Sequence, residues 1–230
     1  MPEPSQKLNR PVGMKISPTQ AEKAAETQSR LIAATQAMML RQGYATTTVD
    51  AICAAAGLTK GSFFHHFASK EAICRAAIDA WGVMGQRLYA AAWADPQADP
   101  LDQLDALFAI MKSFTTTHDE PYLCMVGMMA QELALQNPAI GAQCAGHLGE
   151  WTAMMVRLLS AARARHEPIG SWDAEEIGWL LNSIWQGSML IAKTRHTPAM
   201  LLRNIELAQA YVQGLFVQRR IVARRIAPHS

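Results

Sequence analysis

The chain has 230 residues, half of them hydrophobic, and a net charge of +2 at pH 7, which allows one domain or two small ones with a sizeable core. No apolar run reaches the roughly 18 residues of a membrane helix, and the N-terminus lacks the apolar segment of a signal peptide. The four cysteines lie far apart and form no CxxC pair, which argues against a zinc knuckle or a disulfide framework and favours a reduced, cytoplasmic protein.

The first twenty residues are rich in proline and are predicted to form a flexible arm. The basic side chains of this arm, Lys7, Arg10 and Lys15, could reach a DNA minor groove, and the alternative is a solvated tail without a partner. A second basic segment, residues 221–230, ends the chain.

The rest of the chain has the apolar pattern of helices. Apolar residues recur every three or four positions and alternating β-branched runs are absent, so an all-α fold is predicted. Pro100, Pro138 and Pro198 each follow a side chain that can cap a helix, and Asp173 with Glu176 has the spacing of a capping box. The predicted helices span residues 22–42, 48–56, 60–67, 70–93, 100–117, 122–136, 138–166, 173–195 and 198–220.

The stretch TTTVDAICAAAGLTKGSFFHHFASKE, which begins at Thr46, predicts two short helices joined by a tight turn. Thr47 or Thr48 can cap the first helix. Gly57 can end it, because glycine readily adopts the left-handed conformation that closes a helix. Thr59 can cap the second helix. Two short helices joined in this way form a helix-turn-helix unit.

The second of these helices has one apolar side and one outer side. Phe63 and Phe67 are four residues apart and are predicted to face inward. The outer side then carries Lys60, Ser62, Phe64, His65 and His66. Adjacent histidines point about 100° apart on a helix, which disfavours a shared metal, and the spacing provides no nucleophile or carboxylate for a catalytic histidine. The remaining interpretation is a recognition helix in a DNA major groove.

Charge is distributed as this interpretation requires. The net charge is +4 over residues 1–70, −6 over residues 71–218 and +4 over residues 219–230. A basic N-terminal region ahead of an acidic body indicates that one end of the protein meets a polyanion, although chance scatter of charges is the alternative.

The segment TTTVDAICAAAGLTKGSFFHHFASKEAI resembles the DNA-binding domain of the tetracycline-repressor (TetR) family, over roughly residues 27–78. The resemblance implies an obligate homodimer that binds a palindromic operator in double-stranded DNA and is released by a small molecule. We expect no enzymatic activity, no cofactor, no metal and no membrane contact. The predicted organisation is a flexible arm (1–20), a helix-turn-helix DNA-binding domain (21–70), a helical ligand-binding and dimerisation domain (71–220) and a basic tail (221–230).

The resemblance also assigns DNA contacts to individual positions. It implies phosphate contacts by Thr47 and Thr48, the start of the recognition helix at Lys60 and Gly61, base contacts by Ser62 and His65, and backbone contacts by His66 and Lys70. Phe64 stands where the family usually has a tyrosine. A phenyl ring cannot donate to a phosphate, but it can contact a thymine methyl group.

Two helices of the body are predicted to form the dimer contact. Both have apolar residues at four- and three-residue spacing, which is typical of a helical seam. These residues are Ile177, Leu181 and Ile184 in one helix, and Leu201, Ile205, Ala208, Val212 and Leu215 in the last helix. The first of these helices has a second apolar stripe, so it is expected to be buried on two sides. The alternative is that both stripes face the core of their own chain.

Methionine and tryptophan are frequent in the body, and methionine suits a pocket for varied hydrophobic ligands. The candidate ligand-contacting residues are Met111, Met128, Trp151, Met155, Trp185 and Met189. The same residues are also ordinary core components. No buried charge cluster indicates a polar ligand, so we expect a small hydrophobic or electrophilic effector.

Cys124 is the one cysteine with a predicted sensing role. The segment YLCMVGMMAQELALQNPAI resembles a branch of the TetR family that includes the repressor responding to N-ethylmaleimide. Cys124 follows Pro121, and the first turn of a helix would stabilise its thiolate. The alternative is a structural cysteine, which is the interpretation that Cys53, Cys74 and Cys144 receive.

Together these features predict a homodimeric, all-α, ligand-responsive transcriptional regulator, most often a repressor in this family. An activator, or a sensor of a metabolite unrelated to redox chemistry, is an alternative within the same class. The rival class is an all-α ligand-binding or catalytic protein that keeps the helix-turn-helix as a scaffold. Salt-sensitive binding to a palindromic promoter fragment separates the two classes, because only phosphate contacts release counterions.

Overall fold

The computed structural model describes residues 19–117 and 123–217, so the predicted arm and basic tail lie outside the described residues. Within the described ranges the chain is helical, apart from an isolated bridge between Pro168 and Phe216. The helices are α1 (Gln20–Thr46), α2 (Val49–Ala56), α3 (Lys60–His66), α4 (Lys70–Ala90), α5 (Pro100–Thr117), α6 (Met125–Leu133), α7 (Pro138–Arg165), α8 (Ala174–Arg195) and α9 (Ala199–Gly214). The predicted all-α fold is therefore confirmed.

Several helices begin at the capping side chains that the sequence indicates. The Asn137 side chain accepts a hydrogen bond from the N–H of Ile140 at 3.1 Å, and the Asp173 side chain accepts two, from Glu175 and Glu176, at 2.8 and 3.0 Å. Each accepted bond satisfies a backbone donor that the first helical turn leaves free.

Several predicted helix ends differ from the structure, and three of them have a local cause. α4 stops at Ala90 because the following residues tighten into a 3₁₀ turn at Ala91–Trp93. α6 begins at Met125, three residues later than predicted, because Cys124 is its N-cap. α9 ends at Gly214, where the chain leaves the helix to pair with the loop after α7: the N–H of Val217 bonds the carbonyl of Glu167 at 3.0 Å.

The helices bury three apolar clusters. One cluster joins α1, α2, α3 and the start of α4 around the fully buried Leu31, Ile52 and Phe63. A second joins α1 and α4 to α6 and α7 around Met39 and Met129. The third and largest fills the space between α5, α7, α8 and α9. The second cluster therefore packs the helix-turn-helix region directly against the body.

A membrane-spanning helix is not found in the part of the chain that the structure describes, since none of its helices combines the necessary length and apolarity.

Candidate functional site

The two short helices α2 and α3 meet at a left-handed glycine. Gly57 has φ of +62° and ψ of 40°, and the N–H of Leu58 bonds the carbonyl of Cys53 at 2.9 Å. Thr59 then caps α3, since its hydroxyl accepts from the N–H of Ser62 at 3.1 Å. This turn fixes α3 relative to α2 as in the predicted helix-turn-helix unit.

The outer side of α3 is a polar surface with one exposed ring. Phe63 and Phe67 face inward and are buried, as their spacing indicates. Lys60, Gly61, Phe64 and His65 are exposed, while Ser62 and His66 are half-buried beside them. The phenyl ring of Phe64 is 56% exposed. An exposed aromatic side chain at this position is available for contact with a partner molecule.

Lys60 forms an ion pair across the two helices. Its ammonium group lies 2.7 Å from the carboxylate of Asp50, and both side chains are more than half exposed. An exposed pair of this kind contributes little stability. The ammonium group can therefore exchange its carboxylate partner for another anion at little cost.

The two threonines before α2 have different roles. Thr48 is exposed and caps α2, with its hydroxyl accepting from the N–H of Ala51 at 3.2 Å. Thr47 is fully buried, and its hydroxyl donates to the carbonyl of Gly43 at 2.7 Å. The prediction of a phosphate contact through the Thr47 side chain is therefore wrong for this conformation, because the hydroxyl already satisfies a carbonyl at the end of α1.

Lys70 is also engaged within the chain. Its ammonium group donates to the carbonyl of Tyr44 at 3.0 Å and lies 4.1 Å from the centre of the Tyr44 ring. This contact joins the start of α4 to the end of α1 and leaves Lys70 half-buried. The predicted DNA-backbone contact by Lys70 would require this bond to be shared or given up.

A carboxylate from the body also accepts hydrogen bonds from the end of α1. The two Glu132 oxygens accept from the N–H groups of Tyr44 and Ala45, each at 2.8 Å. Glu132 lies in the last turn of α6, and Tyr44 and Ala45 lie just before the cap of α2. Bonds from N–H groups to a carboxylate are stronger than bonds between neutral groups. Sequence analysis missed this joint, because the partners are more than eighty residues apart.

The body contains a cavity of about 480 Å³ between α4, α7 and α8, which the start of α6 also lines. Six aromatic side chains surround it: Trp81, Tyr89, Trp93, Phe114, Trp151 and Trp185. This volume lies in the range of pockets that hold small organic ligands. Four of the predicted ligand and sensor residues line it, namely Cys124, Trp151, Trp185 and Met189.

Three predicted ligand-contacting methionines are not in this cavity. Met111 and Met155 are buried among the side chains of the largest apolar cluster, next to a gap of only about 10 Å³. Met128 packs against the second cluster, with its sulfur 3.7 Å from the ammonium group of Lys193. For these three residues the prediction is wrong, because methionine serves here as core packing.

Sequence analysis did not identify the polar residues that the cavity contains. The Asn182 amide donates to the carbonyl of Leu148 at 3.0 Å and to the hydroxyl of Thr152 at 2.8 Å. The Gln186 amide donates to the sulfur of Cys124 at 3.7 Å and contacts Gly127 so closely that a side chain at residue 127 would collide with it. In the sequence, the only sign of this close contact is the glycine at residue 127.

Cys124 has a different electrostatic setting from the predicted one. It is half-buried, caps α6 and accepts from the N–H of Gly127 at 3.5 Å. Burial raises the pKa of its thiol, and the hydrogen bonds from the helix N-terminus only partly oppose this effect. The prediction that the helix start stabilises a thiolate is wrong in its net direction. Pro121 lies outside the described residues.

The eight predicted dimer-contact residues face the core of their own chain. Seven are buried in the largest apolar cluster, and Ile184 packs against that cluster. The prediction is therefore wrong as to which side of α8 and α9 is free. Periodicity identified the apolar side correctly, but the neighbours that cover it are α5 and α7 of the same chain.

A second apolar stripe remains exposed on α8 and α9. Its large side chains are between 40 and 52% exposed and comprise Trp179, Leu180, Leu190, Ile191, Met200, Leu207 and Tyr211. They recur at helical spacing along two helices that pack side by side. An exposed apolar face of this extent is typical of a protein–protein contact.

Comparison with protein families gives two matches. Residues 31–77 match the model of bacterial regulatory proteins of the tetR family. Residues 100–206 match the model of the C-terminal domain of LmrA/YxaF-like transcriptional regulators. The transcriptional regulator AcuR of Cereibacter sphaeroides is 28% identical over 181 residues, which cover 79% of this chain and 83% of AcuR.

Solved structures show the same architecture. A regulatory protein TetR from Rhodobacter sphaeroides has a TM-score of 0.72 and 26% identity, over 83% of this chain and 99% of that one. The reduced form of Escherichia coli NemR also has a TM-score of 0.72, over 85% of this chain and 100% of NemR. Its identity of 19% means that this likeness extends to the fold alone.

Proposed function

The chain belongs to the TetR family of transcriptional regulators, and from that premise we propose a ligand-responsive repressor that binds a palindromic operator as a homodimer. A small molecule in the aromatic cavity releases it from DNA. The proposal attributes no catalysis to the chain, in keeping with relatives that are regulators rather than enzymes.

The observation that carries this proposal is the position of α6. Its first residues and its cap, Cys124, line the cavity, while Glu132 in its last turn holds the N–H groups that precede α2. α6 has only nine residues and ends on both sides in hydrogen-bonded contacts. If a ligand in the cavity shifts α6, the helix-turn-helix unit therefore moves with it.

DNA binding is assigned to the outer side of α3 and the cap of α2. Lys60 and Thr48 supply donors for phosphates, and Gly61 permits close approach of the backbone. We assign the contacts with base edges and thymine methyl groups to Ser62, Phe64 and His65. His66 is half-buried, which suits a backbone contact at the edge of the groove.

The exposed stripe on α8 and α9 supports the homodimer. Two such stripes facing each other form a four-helix contact that removes the exposed rings of Trp179 and Tyr211 from water. A two-fold axis through this contact presents two α3 helices to one face of DNA, and successive major grooves on that face are about 34 Å apart. This geometry requires an operator with two inverted half-sites.

We assign release from DNA to reversible binding of the effector rather than to covalent modification of a thiol. Reaction with an electrophile needs the thiolate, and burial keeps Cys124 protonated at neutral pH by raising its pKa. An apolar ligand that displaces water from the aromatic walls needs no covalent step.

The test uses the purified chain and DNA from upstream of its own gene. We expect footprinting to show one protected palindrome and anisotropy titrations to show two chains per site. Affinity should fall steeply as salt rises, because phosphate contacts release counterions. Weak binding that does not depend on salt would support the rival class, in which the helix-turn-helix is only a scaffold.

A further inference from the structure

The cavity contains two hydrogen-bond donors that the surrounding protein leaves unused. The indole N–H of Trp151 is buried and has no hydrogen-bond partner among the described residues. Tyr89, which lines the same cavity, is only 7% exposed. Burial raises the pKa of the Tyr89 phenol, and the Trp151 indole opposes this effect, so the two side chains are neighbours in the wall of the cavity. The hydroxyl proton finds no acceptor within the described ranges.

A buried donor without a partner, such as the Trp151 N–H, is costly. A buried N–H or O–H group without a partner loses its bonds to water and gains nothing in return. Proteins keep such groups where a ligand supplies the missing acceptor, as in sites that discriminate for a hydroxyl or a carbonyl. Trp151 and Tyr89 line the same cavity from α7 and α4, so a single ligand in it can contact both side chains.

Three of the four amide protons of Asn182 and Gln186 are already used. Both protons of the Asn182 amide are used, by Leu148 and Thr152. The Gln186 amide donates to the sulfur of Cys124. A ligand that competed for these donors would have to break bonds that hold α8 to α7 and to the cap of α6. To engage the Trp151 N–H, it breaks no bond among the described residues.

The charge around the cavity indicates a neutral acceptor. Among the described lining residues, Glu150 and Arg157 are charged, and both are exposed at the rim. His147 is bonded to Asp79 at 2.9 Å, and Glu150 also lies near its ring. The one arginine of the described lining, Arg157, lies at the exposed rim, so a carboxylate buried beside Tyr89 would have no counter-ion from the buried part of the wall. An unpaired buried charge is far more costly than a neutral carbonyl.

We propose that the cavity binds a neutral, mainly apolar compound whose carbonyl oxygen accepts hydrogen bonds from Tyr89 and Trp151. This inference rests on the proposed function for the role of the cavity, and it names the class of effector. The aromatic walls favour a flat skeleton, because ring faces pack on Trp81 and Trp185 with little lost freedom.

The test compares matched probes by equilibrium dialysis in the absence of DNA. The probes are 9-fluorenone, which carries a carbonyl, fluorene, which has the same skeleton without it, and the fluorene-9-carboxylate anion. We expect fluorenone to bind about two- to tenfold more tightly than fluorene, which is the usual effect of one hydrogen bond. The carboxylate should bind most weakly.

Tyr89→Phe removes one hydroxyl and leaves the ring in place. We expect fluorenone to lose part of its advantage in this variant, because only the Trp151 N–H then remains to bond its carbonyl, while fluorene binds as before. Trp151→Phe removes the N–H together with part of the ring, so both probes should weaken and fluorenone more. Trp172→Phe, which removes another buried indole N–H without a partner among the described residues but lies outside the cavity, is the control and should change neither affinity.

A spectroscopic measurement separates direct contact from an effect on packing. The infrared carbonyl band of bound fluorenone should move to lower wavenumber in the wild-type protein and return toward its apolar-solvent position in Tyr89→Phe. Equal binding of fluorenone and fluorene, equal losses for both in Tyr89→Phe, tighter binding of the carboxylate, or no binding of any probe would each overturn the proposal. If fluorenone binds as expected but operator DNA is never bound, the proposed function fails and the ligand assignment stands.

Discussion

The Glu132 carboxylate occupies the space where a side chain at residue 43 would lie. Gly43 has φ of +83°, and a Cβ atom built on it would stand 3.0 Å from one carboxylate oxygen. Gly43 therefore serves two needs at once, since it adopts a conformation that other residues rarely adopt and it admits the carboxylate to the N–H groups of Tyr44 and Ala45. The joint between the body and the helix-turn-helix unit depends on both residues.

Glu132→Gln should weaken this joint while keeping its shape. The amide retains one acceptor oxygen but places an NH₂ group opposite the second N–H, so one charge-assisted bond is lost. We expect the free energy of unfolding to fall by about 1–3 kcal/mol, measured by urea denaturation. We also expect a ligand to release the variant from operator DNA less completely, at unchanged ligand affinity.

Glu206→Gln is the matched control for that substitution. Glu206 forms an exposed pair with Arg203 on α9 at 3.1 Å, so its loss should change stability very little. Glu132→Gln could instead be as stable as wild type and be released from DNA by ligand just as fully. That result would show that the hydrogen bonds of Glu132 do not transmit ligand binding to the helix-turn-helix unit.

Lys60→Ala should weaken binding to all DNA sequences by similar factors. Removal of one phosphate contact should reduce the slope of log affinity against log salt by about 1. Asp50→Asn removes the ion-pair partner of Lys60 and should act in the opposite direction, because the DNA-facing surface loses a negative charge. Lys112→Ala, in the body, is the control. An unchanged slope in Lys60→Ala would exclude α3 from the phosphate backbone.

His65→Ala should change which sequences are bound more than how strongly DNA is bound overall. Loss of a base contact costs about 1–3 kcal/mol at the contacted base pair. We expect a panel of single-base operator variants to show relaxed discrimination at one symmetric pair of positions, with an unchanged salt slope. Equal losses across the whole panel would instead assign His65 to the phosphate backbone.

Sequence patterns predicted the features that depend on local interactions. Gly57 and Thr59 were identified correctly, because a left-handed turn and a helix cap each involve residues within a few positions. The choice between Thr47 and Thr48 was not decided, because it depends on the kink at Gly43. The donors of the cavity were missed for a related reason. Their environment arises only when α4 and α7 pack together.

The proposed dimer contact shows a limit of periodicity in a single chain. Ile205 and Leu207 are both apolar and lie two residues apart on α9, yet Ile205 is 2% exposed and Leu207 is 52% exposed. The spacing of apolar residues shows that α9 is apolar on more than one side. It does not show which side is covered by the same chain and which by a partner.

Leu207→Asp and Val212→Asp should therefore fail in different ways. Leu207→Asp places a charge on the exposed stripe, and we expect a folded monomer with near-normal stability that no longer binds operator DNA. Val212→Asp buries an unpaired charge in the core, which costs several kcal/mol, so we expect loss of folded protein. Light scattering and circular dichroism distinguish the outcomes. A dimeric Leu207→Asp variant would place the contact elsewhere.

Alkaline pH should destabilise the protein through two buried thiols at the junction of α4 and α7. Burial raises the pKa of Cys74 to about 12 and that of Cys144 to about 11, from an ordinary value of 9.0. The unfolded chain loses these protons near pH 9, whereas the folded chain keeps them, so stability is complete below pH 9 and falls as pH rises toward 11 or 12.

We expect Cys74→Ala and Cys144→Ala to lower the urea midpoint at pH 8 through lost packing, and to flatten its decline between pH 8.5 and 10.5. Ile78→Val, in the same apolar cluster, removes volume without a titrating group and should keep the wild-type decline. If all three variants decline with pH as wild type does, the thiols are not the source of the alkaline sensitivity.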